Sequence, residues 1–152
     1  MKMPLRMASL IVAFGTCAVS AADLGTADNA KAMLQAAALA VAADEDAAMA
    51  AFTAGEAPFK DHDLYVFCFK GDVSKSVMSA HGGNPALVGQ PTTELADKAG
   101  KPFVKEMWQV ARAGEVHSVD YMWPRPGEVE PADKSSYVTL ISDQLCGVGY
   151  YK

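Results

Sequence analysis

The sequence is poor in the residues from which catalytic centres are built. It has three histidines and three cysteines in 152 residues, and past the leader-like first 22 residues it has no GxSxG, CxxC or HExxH pattern and no phosphate-cradling glycine loop. A nucleophile needs a base and an orienting group beside it, and a metal needs converging ligands. No enzyme activity, cofactor or metal is therefore expected. Positive charge is also short: 13 Lys and Arg stand against 18 Asp and Glu, a net charge of −5. Such a chain repels phosphate backbones, which excludes nucleic acid as a partner. Long apolar runs are missing as well, and no stretch reaches the ~20 residues that cross a bilayer.

What is present begins with a leader. Lys2 and Arg6 form a basic start, Met7 to Cys17 an apolar run, and Ala18 to Ala22 a small-residue end. That order is expected of a cleaved secretory signal, and the run is too short for a membrane anchor. Processing at Cys17 as a lipoprotein fits poorly, because Phe14 and Thr16 are unsuitable neighbours. Residues 1–22 are read as the signal peptide and 23–152 as a single domain, expected outside the cytoplasm, in the periplasm. Removing Lys2 and Arg6 leaves 11 basic and 18 acidic side chains, a net charge of about −7. Cys68 and Cys146 remain, either disulfide-bonded or as two buried thiols.

Thr26 to Phe52 is nearly continuous alanine, with Met33, Leu34, Val41, Met49 and Phe52 as sparse larger side chains. This predicts one long helix, or two in sequence divided at Asp44-Glu45-Asp46, with Thr26 or Asp28 as N-cap. So much alanine permits close packing on a sheet, or pairing with a second copy into a homodimer. Leu64 to Phe69 is a β-prone run covered on both faces, and Gly71-Asp72 turns the chain back into Val73 to Ala80. A short helical turn is expected over Glu94 to Ala99. Lys101 to Ala113 carries apolar residues at helical spacing, with Pro102 near its start and Gly114 after its end. Three strands follow: Val116 to Trp123, Ser136 to Ser142 and Leu145 to Tyr151. Adjacent strands with helices set apart indicate α+β with an antiparallel sheet.

The stretch from Val119 to Val138 gathers Tyr121, Trp123, Arg125, Lys134, Ser135, Ser136 and Tyr137 into twenty residues. Rings beside a few polar groups suit a small-molecule pocket, and a cation with hydroxyls suits an anionic ligand. The same rings would equally fill a core layer around a solvated Lys134. Among the histidines, His62 between Asp61 and Asp63 reads as a solvated turn, because neighbours in extended chain point apart. His117 starts a strand. His81 precedes Gly82-Gly83-Asn84-Pro85, a loop that lets backbone fold closely around a ligand.

Six segments in order, FKDHDLYVFCF, AHGGNPALVGQP, GKPFVKEM, VDYMWPRPG, KSSYV and GVGYYK, carry a resemblance to the single Cache domain family, type 2. These are extracytoplasmic sensor modules of bacterial chemoreceptors and histidine kinases. The resemblance runs from about Ala27 to Lys152. It implies a long N-terminal helix on a PAS-like five-stranded antiparallel sheet, with a short helix between strands 2 and 3. It also implies a small carboxylate as ligand and a membrane-bound receptor or kinase as partner. Carried over by motif, the ligand-binding residues are Tyr65, His81, Tyr121, Trp123, Lys134 and Tyr137. The implied strand order sets Cys68 and Cys146 on neighbouring strands, which brings a cross-strand disulfide within reach. One departure bears on the aim of Lys134: Ala132-Asp133 separates it from Pro131, where the family commonly has proline directly before lysine. The chain ends at Lys152 with no membrane span or signalling domain, and reads as a stand-alone binding domain. Two other readings are a protein-interaction module with a vestigial pocket and a small enzyme using His81.

Overall fold

A computed structural model describes residues 24–152. The leader and Cys17 lie outside the described residues. Helix α1 spans Ala27–Ala43 and α2 spans Glu45–Ala54. The break falls where the acids stand. Asp44 ends α1 and caps α2, its Oδ1 accepting from Ala47 N at 3.0 Å. At the other end of α1, Thr26 is the N-cap, in a reciprocal pairing with Asn29. The inward residues Ala30, Met33, Leu34, Ala37 and Val41 recur every three or four positions and are buried. Small alanines let α1 lie close against the sheet.

The strands are β1 Lys60–Asp61, β2 Leu64–Asp72, β3 Lys75–His81, β4 His117–Pro124, β5 Pro131–Ile141 and β6 Gln144–Tyr151. They form one antiparallel sheet in the order β3-β2-β6-β5-β4, with the two-residue β1 pairing the start of β2. The sheet therefore has six strands rather than the expected five. Strand β5 begins five residues earlier than the sequence suggested, because Pro131 to Asp133 pair with Met122 to Pro124. The two residues before Lys134 are thus absorbed into a regular ladder. The helix expected over Lys101 to Ala113 is shorter: α3 spans Phe103–Val110. At its start Lys101 O accepts from Asp97 N, and at its end Arg112 enters a bridge with Glu115. Glu94 to Ala99 forms turns rather than a helix, and a 3-10 turn occupies Pro85–Leu87.

Strand alternation sends side chains to two faces. On one, Leu64, Val66, Cys68, Cys146 and Val148 pack beneath α1 and α2. On the other, Tyr65, Phe67, Phe69, Val119, Tyr121, Val138 and Leu145 meet α3. Both sheet edges are covered by loops. Gly89, Gln90 and Thr92 bond the backbone of β3, while Asp97 Oδ2 accepts from Met122 N on β4. An edge so occupied does not recruit another strand.

Cys68 and Cys146 stand opposite each other in the β2–β6 register and form a disulfide, closing a sequence separation of 78. Both are fully buried. Alkylation of the denatured, unreduced protein is expected to label neither residue, and labelling of both would refute the bond. Cys68→Ala with Cys146→Ala is expected to lower unfolding free energy by about 2–4 kcal/mol in urea titrations.

Candidate functional site

The geometry of the α3 face starts from Lys134. It lies on β5 directly opposite Tyr121 of β4 and Tyr151 of β6, so all three side chains share one face. Gly149 stands beside it on β6. A Cβ there would collide with Lys134 Cε and Ser136 Oγ, so only glycine leaves room for the lysine stem. Lys134 Nζ donates to Tyr65 Oη at 2.7 Å. It lies 4.1 Å from the Tyr65 ring centroid, 4.9 Å from that of Tyr151 and 5.8 Å from that of Phe67. No carboxylate among the described residues comes within ion-pairing distance. Burial pushes the Lys134 ammonium down to about 7, against a smaller opposing pull from Asp63.

Tyr65 on β2 is buried, and burial raises its hydroxyl well above the ordinary tyrosine value, so it stays protonated. Its hydroxyl accepts from Lys134 and has the polar groups of Tyr151 and Trp123 beside it. His81 ends β3 with its ring 4.8 Å from that of Tyr65. Its Nδ1 accepts from Asn84 N at 2.8 Å, which leaves Nε2 carrying the proton. Burial, with the Lys134 charge added, pushes His81 down to about 3, so the ring is neutral. The glycine loop packs closely on Tyr65: a Cβ on Gly83 would stand 2.7 Å from its ring.

Tyr65, His81, Asn84, Trp123, Arg125 and Glu128 surround an open cavity of ≈ 370 Å³. Deeper, between the sheet and α3, free space falls to ≈ 10 Å³. There Phe103 stacks on Tyr121 at 4.2 Å, and Tyr121 Oη pairs with Ser136 Oγ at 2.9 Å. Of the six residues singled out in the sequence, Tyr65, His81 and Trp123 reach the cavity. Lys134 stands behind Tyr65, and Tyr121 belongs to the filled layer. Tyr137 does not join them. It is three residues from Lys134, and strand alternation sends it to the helix face, with Tyr150 at 5.9 Å and Lys31 Nζ at 5.1 Å from its ring. His62 lies on an exposed turn, 2.9 Å from Asp61 Oδ1.

Sequence reasoning named Arg125 as a cation but left it out of the site, and it passed over Asn84, Glu128 and Tyr151. The signals were there: Arg125 sits between two prolines, and Tyr151 follows Gly149 at the spacing that puts both on one face.

The buried cation makes stability depend on pH. Between about 7 and the ordinary lysine value near 10.4 the unfolded chain binds a proton at Lys134 that the folded chain has lost. Stability due to this group therefore rises with pH across that window, by up to ~1.4 kcal/mol per unit, and is flat below it. Lys134→Met is expected to remove that rise. Paired denaturation curves of both proteins from pH 6 to about 9.5 check it, before the tyrosines of the unfolded chain titrate.

Several known proteins are similar to this chain in sequence or in fold. Chemotaxis protein McpP of Pseudomonas putida, a methyl-accepting receptor, is 36% identical over 93 residues, which is 60% of this chain. This chain spans only 16% of that receptor. A solved periplasmic sensor domain of a chemotaxis protein superposes with a TM-score of 0.60 at 28% identity, covering 82% of this chain and 88% of its own. A Cache chemosensory domain whose structure is described as the basis for carboxylic acid recognition gives 0.61 at 26% identity, with 82% and 86% covered. A methyl-accepting chemotaxis protein from Vibrio parahaemolyticus gives 0.66 at 19% identity over 82% and 86%, a likeness of fold. Residues 28–149 match the family described as single Cache domain 2, and the chain belongs to that family.

Proposed function

We propose that this domain is an extracytoplasmic receptor module for a small carboxylate, and that it carries out no chemistry on its ligand. The observation that supports this best is a cavity of ≈ 370 Å³ walled by Tyr65, His81 and Trp123 and backed by the buried Lys134, a cation with no ion-pair partner among the described residues. A protein that buries an unpaired ammonium at a stability cost has a use for positive potential there. Neutral His81 offers an N–H and the protonated Tyr65 offers an O–H, both suited to a carboxylate oxygen. The relative named for carboxylic acid recognition has the same fold and binds that class of ligand.

An enzymatic role has less support. His81 Nδ1 already accepts from Asn84 N, so its lone pair is not available to a substrate proton. Location outside the cytoplasm agrees with the expected leader and with the buried Cys68–Cys146 disulfide. Among the described residues no helix is long and apolar enough to cross a membrane. The bound state is read by a membrane-bound signalling partner, as in the chemoreceptors this chain resembles. A second use, pairing through α1, draws on Leu39, which is 74% exposed on that helix.

Short monocarboxylates are expected to raise the melting temperature, as a ligand of the folded state at 100 times its Kd adds about 2.7 kcal/mol. Lys134→Met is expected to weaken that effect, and Lys60→Ala, at a residue that does not line the cavity, to leave it unchanged. Because an anion favours the protonated lysine, affinity should fall as pH rises above about 7. A pH-independent affinity would remove Lys134 from the site. No response from a broad panel of acids, with a dimer that Leu39→Ser dissolves in sedimentation, would favour the interaction module instead.

A further inference from the structure

Asp63 is a buried carboxylate with one oxygen unused. It is 7% exposed and lies in the turn between β1 and β2. Its Oδ1 accepts from Gly25 N at 2.6 Å, while its Oδ2 is buried with no hydrogen-bond partner. Among the described residues no cation comes within ion-pairing distance of it. A carboxylate taken out of water is normally paired. The turn that holds it is constrained, since His62 takes φ 54°, a left-handed conformation seldom adopted by a residue with a Cβ. The backbone ahead of α1 closes on the same spot. A Cβ on Gly25 would collide with Leu64 Cγ, so only glycine brings this part of the chain against the turn. What Asp63 lacks, beside residue 25, is a cation with hydrogens to donate.

Processing of the chain creates such a cation close by. Read as a leader, residues 1–22 end at Ala22. Hydrolysis of the Ala22–Asp23 peptide bond adds one water. The leader leaves with the new carboxylate, and Asp23 keeps the amine, which gains a proton at neutral pH because α-amino groups titrate near ~7.7–8.0. Before that cut the same nitrogen is a neutral amide. Residue 23 precedes Gly25 by two positions, a span of at most ~7 Å, so its ammonium is tethered within reach of Oδ2. We propose that Asp63 is the receiving site for the α-ammonium of Asp23, and that leader removal thereby locks the start of α1 onto the β1–β2 turn. This rests on the leader reading of residues 1–22 and is independent of what the cavity binds. The lock still bears on the cavity, because Tyr65 of its wall follows Asp63 by two residues. The exported, processed protein then holds that wall more firmly than its precursor does.

Mass spectrometry of the exported protein is expected to place its first residue at Asp23, and another start or a retained leader would overturn the proposal. Melting temperatures of processed proteins then form a double-mutant cycle. One arm is Asp63→Asn; the other inserts Gly-Ser-Gly-Ser between Ala22 and Asp23, which moves the ammonium away. With Asp63 present the insertion is expected to lower the melting temperature by about 4 °C or more, the scale of one charge-assisted bond. In Asp63→Asn the loss should be less than half of that. An equal loss in both backgrounds, or no loss in either, would refute the pairing. Should Asp63→Asn not fold, the wild type decides alone, through acetylation by N-hydroxysuccinimidyl acetate at pH 7. The Asp23 amine is expected to react at least about tenfold more slowly in the folded protein than in urea, while the exposed Lys60 changes little. An Asp23 amine that reacts as fast folded as unfolded leaves Asp63 without this partner, and the lock falls.

Discussion

The ammonium of Lys134 sits inside the protein among aromatic rings, with one hydroxyl as its hydrogen-bond partner and, among the described residues, no acid within ion-pairing distance. Taking an ion out of water costs several kcal/mol, and a carboxylate partner is the usual offset. Here the offset is made of weaker parts: the Tyr65 hydroxyl and the faces of Tyr65, Tyr151 and Phe67, where desolvated cation–π contacts contribute ~2 kcal/mol. Every part comes from a fixed place in the sheet. Tyr65 and Phe67 belong to β2, Tyr151 and the clearing at Gly149 to β6, and the lysine to β5. Only a sheet in which β6 runs between β2 and β5 brings the three together. The chain's last strand at the centre of the sheet is therefore a condition for the site, and not only a feature of topology.

The opposite face supplies the stability that this arrangement consumes. Cys68 and Cys146 join β2 to β6 there, the two strands that carry the rings around Lys134. A clamp on one side of a strand pair fixes the register on the other, because side chains alternate and a slip of one residue would exchange the faces. Such a slip would send Tyr65 and Tyr151 under α1 and bring Cys68 and Cys146 toward α3. The alanine-rich α1 fits the same division. Its buried residues form one cluster with those of the sheet face beneath it.

How much of this could be read from the chain depends on which physical signal carried it. The elements followed from propensity, capping and apolar spacing, and the break at Asp44 from the preference of acids for a first turn. The disulfide stayed one of two outcomes until strand order set Cys68 opposite Cys146. Lys134 was visible as a cation among aromatic residues, but its burial was not, since that depends on Gly149 in a strand ten or more residues away. Tyr137 was misplaced because proximity in sequence was given more weight than parity; three residues along a strand is an odd step and changes faces. Tyr121 lies on the α3 side of the sheet, and the space in front of it is filled by Phe103. Arg125 stands between two prolines that read as loop punctuation, and the fold brings it to the cavity.

The two cations near Tyr151 differ in a way that bears on how the site would behave. Arg125 carries a guanidinium, whose weak hydration suits a rim that is part water and part ring. Lys134 is deeper, and burial brings it to about 7, so its charge depends on what stands in front of Tyr65. On the proposed reading an anion in the cavity meets a charge at Arg125 and, through the Tyr65 hydroxyl, a second charge that its own arrival helps to retain. Below pH 7 both charges are already present and binding exchanges no proton. Above it, binding draws a proton onto Lys134, and the free energy of that uptake is subtracted from the affinity. The pH-dependent part of binding then belongs to Lys134. The order of the two along the path from solvent to core follows from their chemistry: a guanidinium tolerates the half-wet rim without losing its charge, and only an ammonium can be tuned by the depth at which the sheet buries it.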